Sequence, residues 1–267
     1  MTKSFPYWHI DAFASRTFGG NQAAVMILEK WLDDAVLQKI GAENMFAETA
    51  FVVPTPDGKA DYALRWFTPT MEVALCGHAT LASGHVVLGQ ETSGDTVTFA
   101  TRKAGILEVA RADHGYDLAL PATIVDGAAP QGIADGLRAT PEELLYNDKR
   151  YVIARFANEA AVRALDPDMD LLATTGDTMF MATAEGDKTA VVSRVFVPGA
   201  GVPEDSVTGS AHAVLTPYWA KRLGRSEFTA HQASQRGGDL ACRLDGDRAI
   251  LGGQCVTVVE GRFYLTG

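Results

Sequence analysis

The hydrophobic pattern of the first half is mostly that of short strands, interrupted twice by helical periods. Tyr7 to Phe13 has strand character, Gly19-Gly20-Asn21 reads as a turn, and Ala24 to Leu28 is a short buried apolar run. Asp33 and Asp34 start a helix in which Val36, Leu37 and Ile40 keep helical spacing, ending near Asn44. Thr49 to Val53 and Tyr62 to Phe67 are strands, with a turn from Pro54 to Gly58 between them. Gly77 to Leu88 predicts a second helix, with Gly89 as its stop. No charge falls between Gly77 and Gln90, the pattern of a helix buried all round. Strands follow at Thr96 to Ala100, Ile106 to Ala110 and Tyr116 to Leu120, and the Gly-, Ala- and Pro-rich stretch from Pro121 to Gly136 reads as a linker.

The second half repeats this plan. Thr140-Pro-Glu-Glu143 has the form of a capping-box helix start. Tyr151 to Arg155 is a strand, Asn158 caps a short helix that ends before Pro167, and Met179 to Ala184 and Ala190 to Val197 are strands. A helix from Gly209 to about Leu223 stops before Gly224, and Pro217 inside it predicts a kink or the end of a first segment. The tail reads as four strands: Asp239 to Leu244, Ala249 to Leu251, Cys255 to Val259 and Arg262 to Leu265.

Two segments 132 residues apart match. Glu72-Val-Ala-Leu-Cys76-Gly77-His78-Ala79 aligns with Glu204-Asp-Ser-Val-Thr208-Gly209-Ser210-Ala211, placing Glu72 on Glu204, Gly77 on Gly209 and Ala79 on Ala211. The approaches are alike too: Arg65-Trp-Phe67-Thr-Pro69 and Arg194-Val-Phe196-Val-Pro198. The expected organisation is therefore two related domains, 1–120 and 121–267, with the last C-terminal strand able to pack back on the first. Each presents a glycine turn that opens a helix.

Composition narrows the function. A net charge of -10 argues against broad nucleic-acid binding, which needs basic patches. The cysteines, Cys76, Cys242 and Cys255, form no CxxC pair, so neither a disulfide framework nor a thiolate zinc site is expected. The start lacks the apolar core of a signal peptide, and no apolar run approaches the roughly 20 residues needed to span a membrane. The expectation is a cytoplasmic protein.

The candidate chemistry gathers at the two helix starts. The first backbone N–H groups of a helix have no internal partner, and the helix dipole adds partial positive charge there. Gly77 and Gly209 would let a carboxylate or an enolate-like oxygen approach those donors closely. The alternative at each junction is a plain tight turn. His78, at the start of an apolar helix, is expected to be neutral by burial and dipole, either passing a proton or serving as a hydrogen-bonded core histidine. Asp205 is either an acid near the second helix or its cap, and Ser210 either a ligand contact or a first-turn polar residue. Glu48, between Phe46-Ala47 and Thr49-Ala50-Phe51, is expensive to bury unpaired, and desolvation would raise its pKa towards acid/base use. The alternative is a strand-edge carboxylate facing water. No GxGxxG, HExxH or P-loop appears. Arg236, in Gln235-Arg-Gly-Gly238, suits either a substrate carboxylate or a turn.

Taken together, Asp11-Ala-Phe13, Phe18-Gly-Gly-Asn21-Gln-Ala-Ala24, Asn44-Met-Phe-Ala-Glu48-Thr-Ala-Phe51, Arg65-Trp-Phe-Thr-Pro69, Cys76-Gly-His-Ala-Thr80 and Glu204-Asp-Ser-Val-Thr-Gly-Ser-Ala-His212 resemble the PhzF-like isomerases of phenazine biosynthesis. These stretches keep the family order over nearly the whole chain. The resemblance implies an α+β, diaminopimelate epimerase-like fold: two pseudo-symmetric domains, each a curved, mostly antiparallel, barrel-like sheet around a central helix. It implies proton transfer on a small carboxylate in the interdomain cleft, without cofactor or metal, commonly in a homodimer. Glu48 takes the place of the family's catalytic glutamate, and His78, Asp205 and Ser210 those of its supporting residues. Gly77 and Gly209 take the place of backbone that holds substrate, with Cys76 and Thr208 lining the same two turns.

Epimerases and racemases of this fold oppose two cysteines at the positions of Cys76 and Thr208. Threonine is too weak an acid to replace a thiol, so a symmetric two-thiol racemase is not expected. An amino- or hydroxy-acid epimerase using Glu48 with Cys76 or Asp205, and a non-catalytic carboxylate-binding protein, are the alternatives. The chain departs from the family at Ser206, where proline is usual, and at Met45-Phe46-Ala47, where smaller or polar residues are usual.

Overall fold

The computed structural model describes residues 2–55, 58–90 and 94–266. They form two compact units, Met1–Leu120 with Gly252–Gly267, and Pro121–Leu251. The architecture is α+β, mostly sheet with few helices.

In the first unit the order is β1 (Lys3–Ala12), β2 (Asn21–Ile27), α1 (Asp34–Asn44), β3 (Glu48–Pro54), β4 (Tyr62–Phe67), β5 (Glu72–Val73), α2 (Gly77–Gln90), β6 (Thr96–Thr101), β7 (Ile106–Ala112) and β8 (Gly115–Pro121). β1 pairs antiparallel with β2, β2 parallel with β3, and β3 antiparallel with β4. β4 then carries two partners, β5 antiparallel and β6 parallel, and β7 and β8 complete an antiparallel meander. The sheet is not closed. The helix α2 packs on β1, β2, β3, β6 and β7 and is buried along most of its length. Its two interior hydroxyls bond back to the helix itself, Thr80 Oγ1 to the Cys76 carbonyl (2.5 Å) and Ser83 Oγ to that of Ala79 (2.7 Å), so neither is left unsatisfied in the core. A second cluster, with Met26, Leu37, Ile40, Phe51 and Phe67, seats α1 on the other face of the sheet.

The second unit comprises β9 (Gly127–Ala128), β10 (Glu143–Tyr146), β11 (Tyr151–Arg155), α3 (Glu159–Arg163), α4 (Met169–Ala173), β12 (Met179–Glu185), β13 (Val191–Val197), β14 (Val202–Asp205), α5 (Gly209–Leu223), β15 (Glu227–Gln232), β16 (Gly238–Asp245) and β17 (Arg248–Gly253). Its ladder follows the same rule: β10–β11 antiparallel, β11–β12 parallel, β12–β13 antiparallel, then β13 with β14 antiparallel and with β15 parallel. The repeat read in the sequence is thus a repeat of strand pairing as well as of residues.

Several expectations are corrected. Gly89 lies inside α2, which runs on to Gln90. Thr140-Pro-Glu-Glu143 starts no helix: Glu143 to Tyr146 is a strand whose backbone groups pair with β11 on one side and β9 on the other. Asp168 caps α4 through Leu171 N, an element missing from the sequence reading. Pro217 neither ends nor divides α5. Proline leaves the carbonyl four residues earlier without its helical donor, and the Thr123 N–H supplies one to Ala213 O at 3.1 Å. Cys255 to Leu265 is one strand, β18, paired along β1: Glu260 and Gly261, where the sequence reading left a gap, pair in register with Trp8 and Tyr7. The turn from Pro54 to Gly58 includes residues 56 and 57, outside the described residues. Among the described residues no helix is long and apolar enough to cross a membrane.

Candidate active site

The first helix start gathers three of the expected residues. Glu48 opens β3, in register with Ala23 on β2, and His78 is the second residue of α2. Glu48 Oε2 lies 3.1 Å from His78 Nε2, while Cys76 Sγ lies 3.5 Å from Nδ1 and 3.9 Å from Nε2. Cys76 and His78 are buried, and Glu48 keeps 17% of its side-chain exposure, which makes it the member that meets solvent. Its Oε2 is buried and, despite the nearby imidazole, accepts no aligned hydrogen bond among the described residues.

Asn21, which sequence reasoning placed only in a turn, completes the site. Its amide Nδ2 is 3.1 Å from His78 Nδ1. An asparagine can serve either ring state, Nδ2 donating to a bare Nδ1 or Oδ1 accepting from a protonated one. The loop before it is fixed by Asp11, whose Oδ2 accepts from Phe18 N (2.9 Å), and by Gly20. Gly20 has φ 62°, and a Cβ there would meet the Ala12 carbonyl oxygen at 2.2 Å, so both conformation and space exclude a side chain. Beyond Glu48, Phe46 stacks on His9 at 4.3 Å, following Met45, which ends α1 in the left-handed region (φ 54°).

Electrostatics corrects the expectation of a neutral His78. Burial alone would push the ring towards its neutral form, but the Cys76 sulfur and the Glu48 carboxylate raise the pKa well above the ordinary histidine value; with the thiol protonated near neutrality, the carboxylate is the charge that acts there. Residue pattern alone does not place Glu48 beside the helix start; only the family resemblance grouped it with His78, and it carried no sign for the shift. The Cys76 thiol moves the other way: burial, then the Glu48 charge, push it up to about 11. At neutral pH it is a thiol.

The second helix start is built differently. Asp205, at the end of β14, accepts from Ser206 N on Oδ1 (2.9 Å) and from the Thr208 hydroxyl on Oδ2 (2.6 Å). Gln232, fully buried on β15, locks this turn: Oε1 accepts from Thr208 N (2.8 Å), and Nε2 donates to the Asp205 carbonyl (2.8 Å) and to Thr208 Oγ1 (3.1 Å). No sequence signal marked Gln232. Thr208 and Gly209 are buried and Ser210 is half-buried on the first turn of α5. The buried His212 Nδ1 meets the Thr208 carbonyl at 2.9 Å, and desolvation lowers its pKa to about 4, so this ring is neutral.

Each start is braced by the arginine and glutamate of the repeat. Arg65 donates from Nε and the second guanidinium nitrogen to both oxygens of Glu72 (2.8 Å each), and Arg194 does the same to Glu204 (2.8 and 3.0 Å). Their guanidinium carbons sit 5.0 Å and 4.9 Å over the rings of Phe67 and Phe196. The bidentate fork fixes the strand before each helix. The duplicated Arg, Phe and Glu were the signal that could have revealed the pairs.

Comparison with known proteins identifies the family and the fold. A family model described as phenazine biosynthesis-like protein matches residues 10–261. An uncharacterized isomerase of Pseudomonas aeruginosa is 42% identical, covering 97% of this chain and 98% of that protein. A phenazine biosynthesis-like domain-containing protein of Homo sapiens is 38% identical over 96% of this chain and 98% of its own. Among solved structures, a phenazine biosynthesis protein of the PhzF family from Enterococcus faecalis superposes with a TM-score of 0.91 at 39% identity, covering 98% of this chain and 100% of that one. A hydroxyproline epimerase from Agrobacterium vitis shares the fold, with a TM-score of 0.62 at 12% identity over 98% of this chain and 93% of that one.

Proposed function

This chain belongs to the PhzC-PhzF family of phenazine biosynthesis-like proteins and is an isomerase of that family, and on that footing we propose that it transfers a proton on a small carboxylate substrate with Glu48 as general acid/base. The observation that carries the assignment is Glu48 Oε2, a buried oxygen without an aligned donor, 3.1 Å from an imidazole whose pKa is raised. A carboxylate so placed has a free lone pair for a substrate proton and a cation beside it to balance its charge.

The steps follow from these groups. Glu48 removes a proton from carbon and returns it at another position. His78 balances the charge that moves through the site, and Asn21 holds the ring in either protonation state. The developing enolate-like oxygen or the substrate carboxylate is met by amides at a helix start, as Gly77 offers; by the family resemblance Gly209 with Ser210 offer donors of the same kind at theirs. Asp205 and Thr208 shape that second turn. A homodimer belongs to the same reading.

The raised thiol pKa favours Glu48 over Cys76 as the base, because little thiolate exists near neutrality. The test is proton NMR in deuterium oxide with a panel of small carboxylates that includes dihydro-hydroxyanthranilate. Exchange into an allylic position, lost in Glu48→Gln, supports the isomerase. Exchange at a stereocentre with loss of optical activity moves the reading to an epimerase. Wild-type exchange in Glu48→Gln removes the assignment of the base.

A further inference from the structure

Glu48, Cys76 and His78 present one carboxylate oxygen, one sulfur and one ring nitrogen whose positions all lie within 4.8 Å of one another. We propose that these three residues form a binding site for a thiophilic divalent cation, Zn²⁺ being the best fit, and that the bound ion switches the isomerase off.

The argument is geometric first. Tetrahedral zinc with a thiolate at about 2.3 Å and nitrogen or oxygen at about 2.0–2.1 Å sets its ligand atoms about 3.3–3.6 Å apart. The separations here are 3.1 Å between Oε2 and Nε2 and 3.9 Å between Nε2 and Sγ, so small side-chain shifts close a tripod. The donor set is one soft sulfur, one imidazole and one carboxylate, which suits zinc over magnesium or calcium. Glu48 Oε2 brings a lone pair that no aligned donor occupies among the described residues. Asn21 at Nδ1 fixes the ring orientation, and with its amide turned so that Oδ1 accepts from Nδ1–H it would give the outer-shell support that metal-bound histidines use. With three protein ligands, the fourth position is left for water or an anion.

Coordination has a definite proton balance. The Cys76 thiol must lose its proton to bind as thiolate, and His78 must give up the proton on its ligating nitrogen. Both protons leave to solvent as the metal–sulfur and metal–nitrogen bonds form. The ion would take the Glu48 lone pair that turnover needs, so binding and proton transfer exclude each other. The inhibitory half of the proposal rests on Glu48 being the base, whereas the site itself does not.

The test therefore begins with binding alone. Co²⁺ is titrated into the purified protein as a spectroscopic stand-in, followed by displacement with Zn²⁺. A thiolate-to-cobalt charge-transfer band at one equivalent, present in wild type and in Cys242→Ser and lost in Cys76→Ser, is the expected result. Asn21→Ala should weaken the ion by about 10- to 100-fold while keeping the band. A band that survives Cys76→Ser, or no band in wild type, overturns the site. Should Cys76→Ser fail to fold, zinc-edge X-ray absorption on the wild-type protein decides: one sulfur in the first shell supports the proposal, and a shell of nitrogen and oxygen alone refutes it. Proton exchange is then measured with one equivalent of Zn²⁺ and again after EDTA. Loss and recovery support inhibition. Unchanged exchange with the ion bound refutes the inhibitory half while leaving the site standing.

Discussion

His78 and His212 lie two residues apart on the repeat alignment and titrate in opposite directions. Both are buried near a helix start, but His78 faces a carboxylate and a sulfur, whereas His212 faces the Thr208 carbonyl and lies 3.4 Å from the Ser193 hydroxyl. The consequence for stability can be signed. The folded pKa of His212 is about 4 against 6.5 in an ordinary histidine, so the unfolded chain binds more protons between those values. Its contribution is fully present above pH 6.5, falls as the pH drops towards 4, and is worth on the order of 3 kcal/mol. Replacing it with Gln should flatten the difference in urea stability between pH 7 and pH 4 by about that amount, and an unchanged pH dependence would contradict a buried neutral ring. At the site, Asn21→Leu is expected to lower kcat about 10-fold or more while KM moves little, since the amide orients His78 and has no assigned contact with substrate. A rise in KM alone would place Asn21 in binding instead. Of these residues, His78, Glu48 and Cys76 were legible from type and context. Their mutual distances, and so the sign of the His78 shift, depended on strand register that the sequence does not carry.

At the scale of elements, the two central helices were read almost to the residue, because each opens on a glycine and continues for about twelve residues without a charge. The misreadings have local causes. The capping-box pattern at Thr140 lost to strand pairing, and the proline in α5 was rescued by a donor from a distant segment, Thr123. Gly84 shows how packing overrides propensity. Alanine normally gains about 1 kcal/mol over glycine inside a helix. Here a Cβ would sit 2.4 Å from Val109 Cγ1 on β7, and overpacking of that kind costs about 1–3 kcal/mol. Gly84→Ala should therefore destabilise, and Val109→Ala in the same chain should relieve part of the loss. Chemical denaturation of the single and double variants checks this, and additive losses would contradict the contact.

At the scale of the whole chain, two units share one order of strand pairing and one bracing pair, Arg65–Glu72 and Arg194–Glu204. Arg65 is the more embedded, held also by Asp34 and lying over Trp31, while Arg194 reaches the Leu165 carbonyl beyond α3. Arg65→Met removes a buried guanidinium but leaves Glu72 partly exposed and still paired with Arg102 at 2.9 Å, so the loss should be about 1–3 kcal/mol, read by urea denaturation. A loss below about 0.5 kcal/mol would reduce the pair to a surface bridge. The repeat was legible because Arg, Phe, Glu and Gly recur at matching places. What differs between the helix starts, with Glu48 beside one and Gln232 beneath the other, was not, since both come from strands far away in sequence. The proposed chemistry belongs to that difference, and solvent deuterium incorporation tests it most directly. Wild-type protein should place deuterium in a small carboxylate substrate, and Glu48→Gln should lower the rate by about 100- to 10,000-fold while ligand-induced stabilisation persists. Exchange at the wild-type rate in that variant would contradict Glu48 as the proton-transferring group.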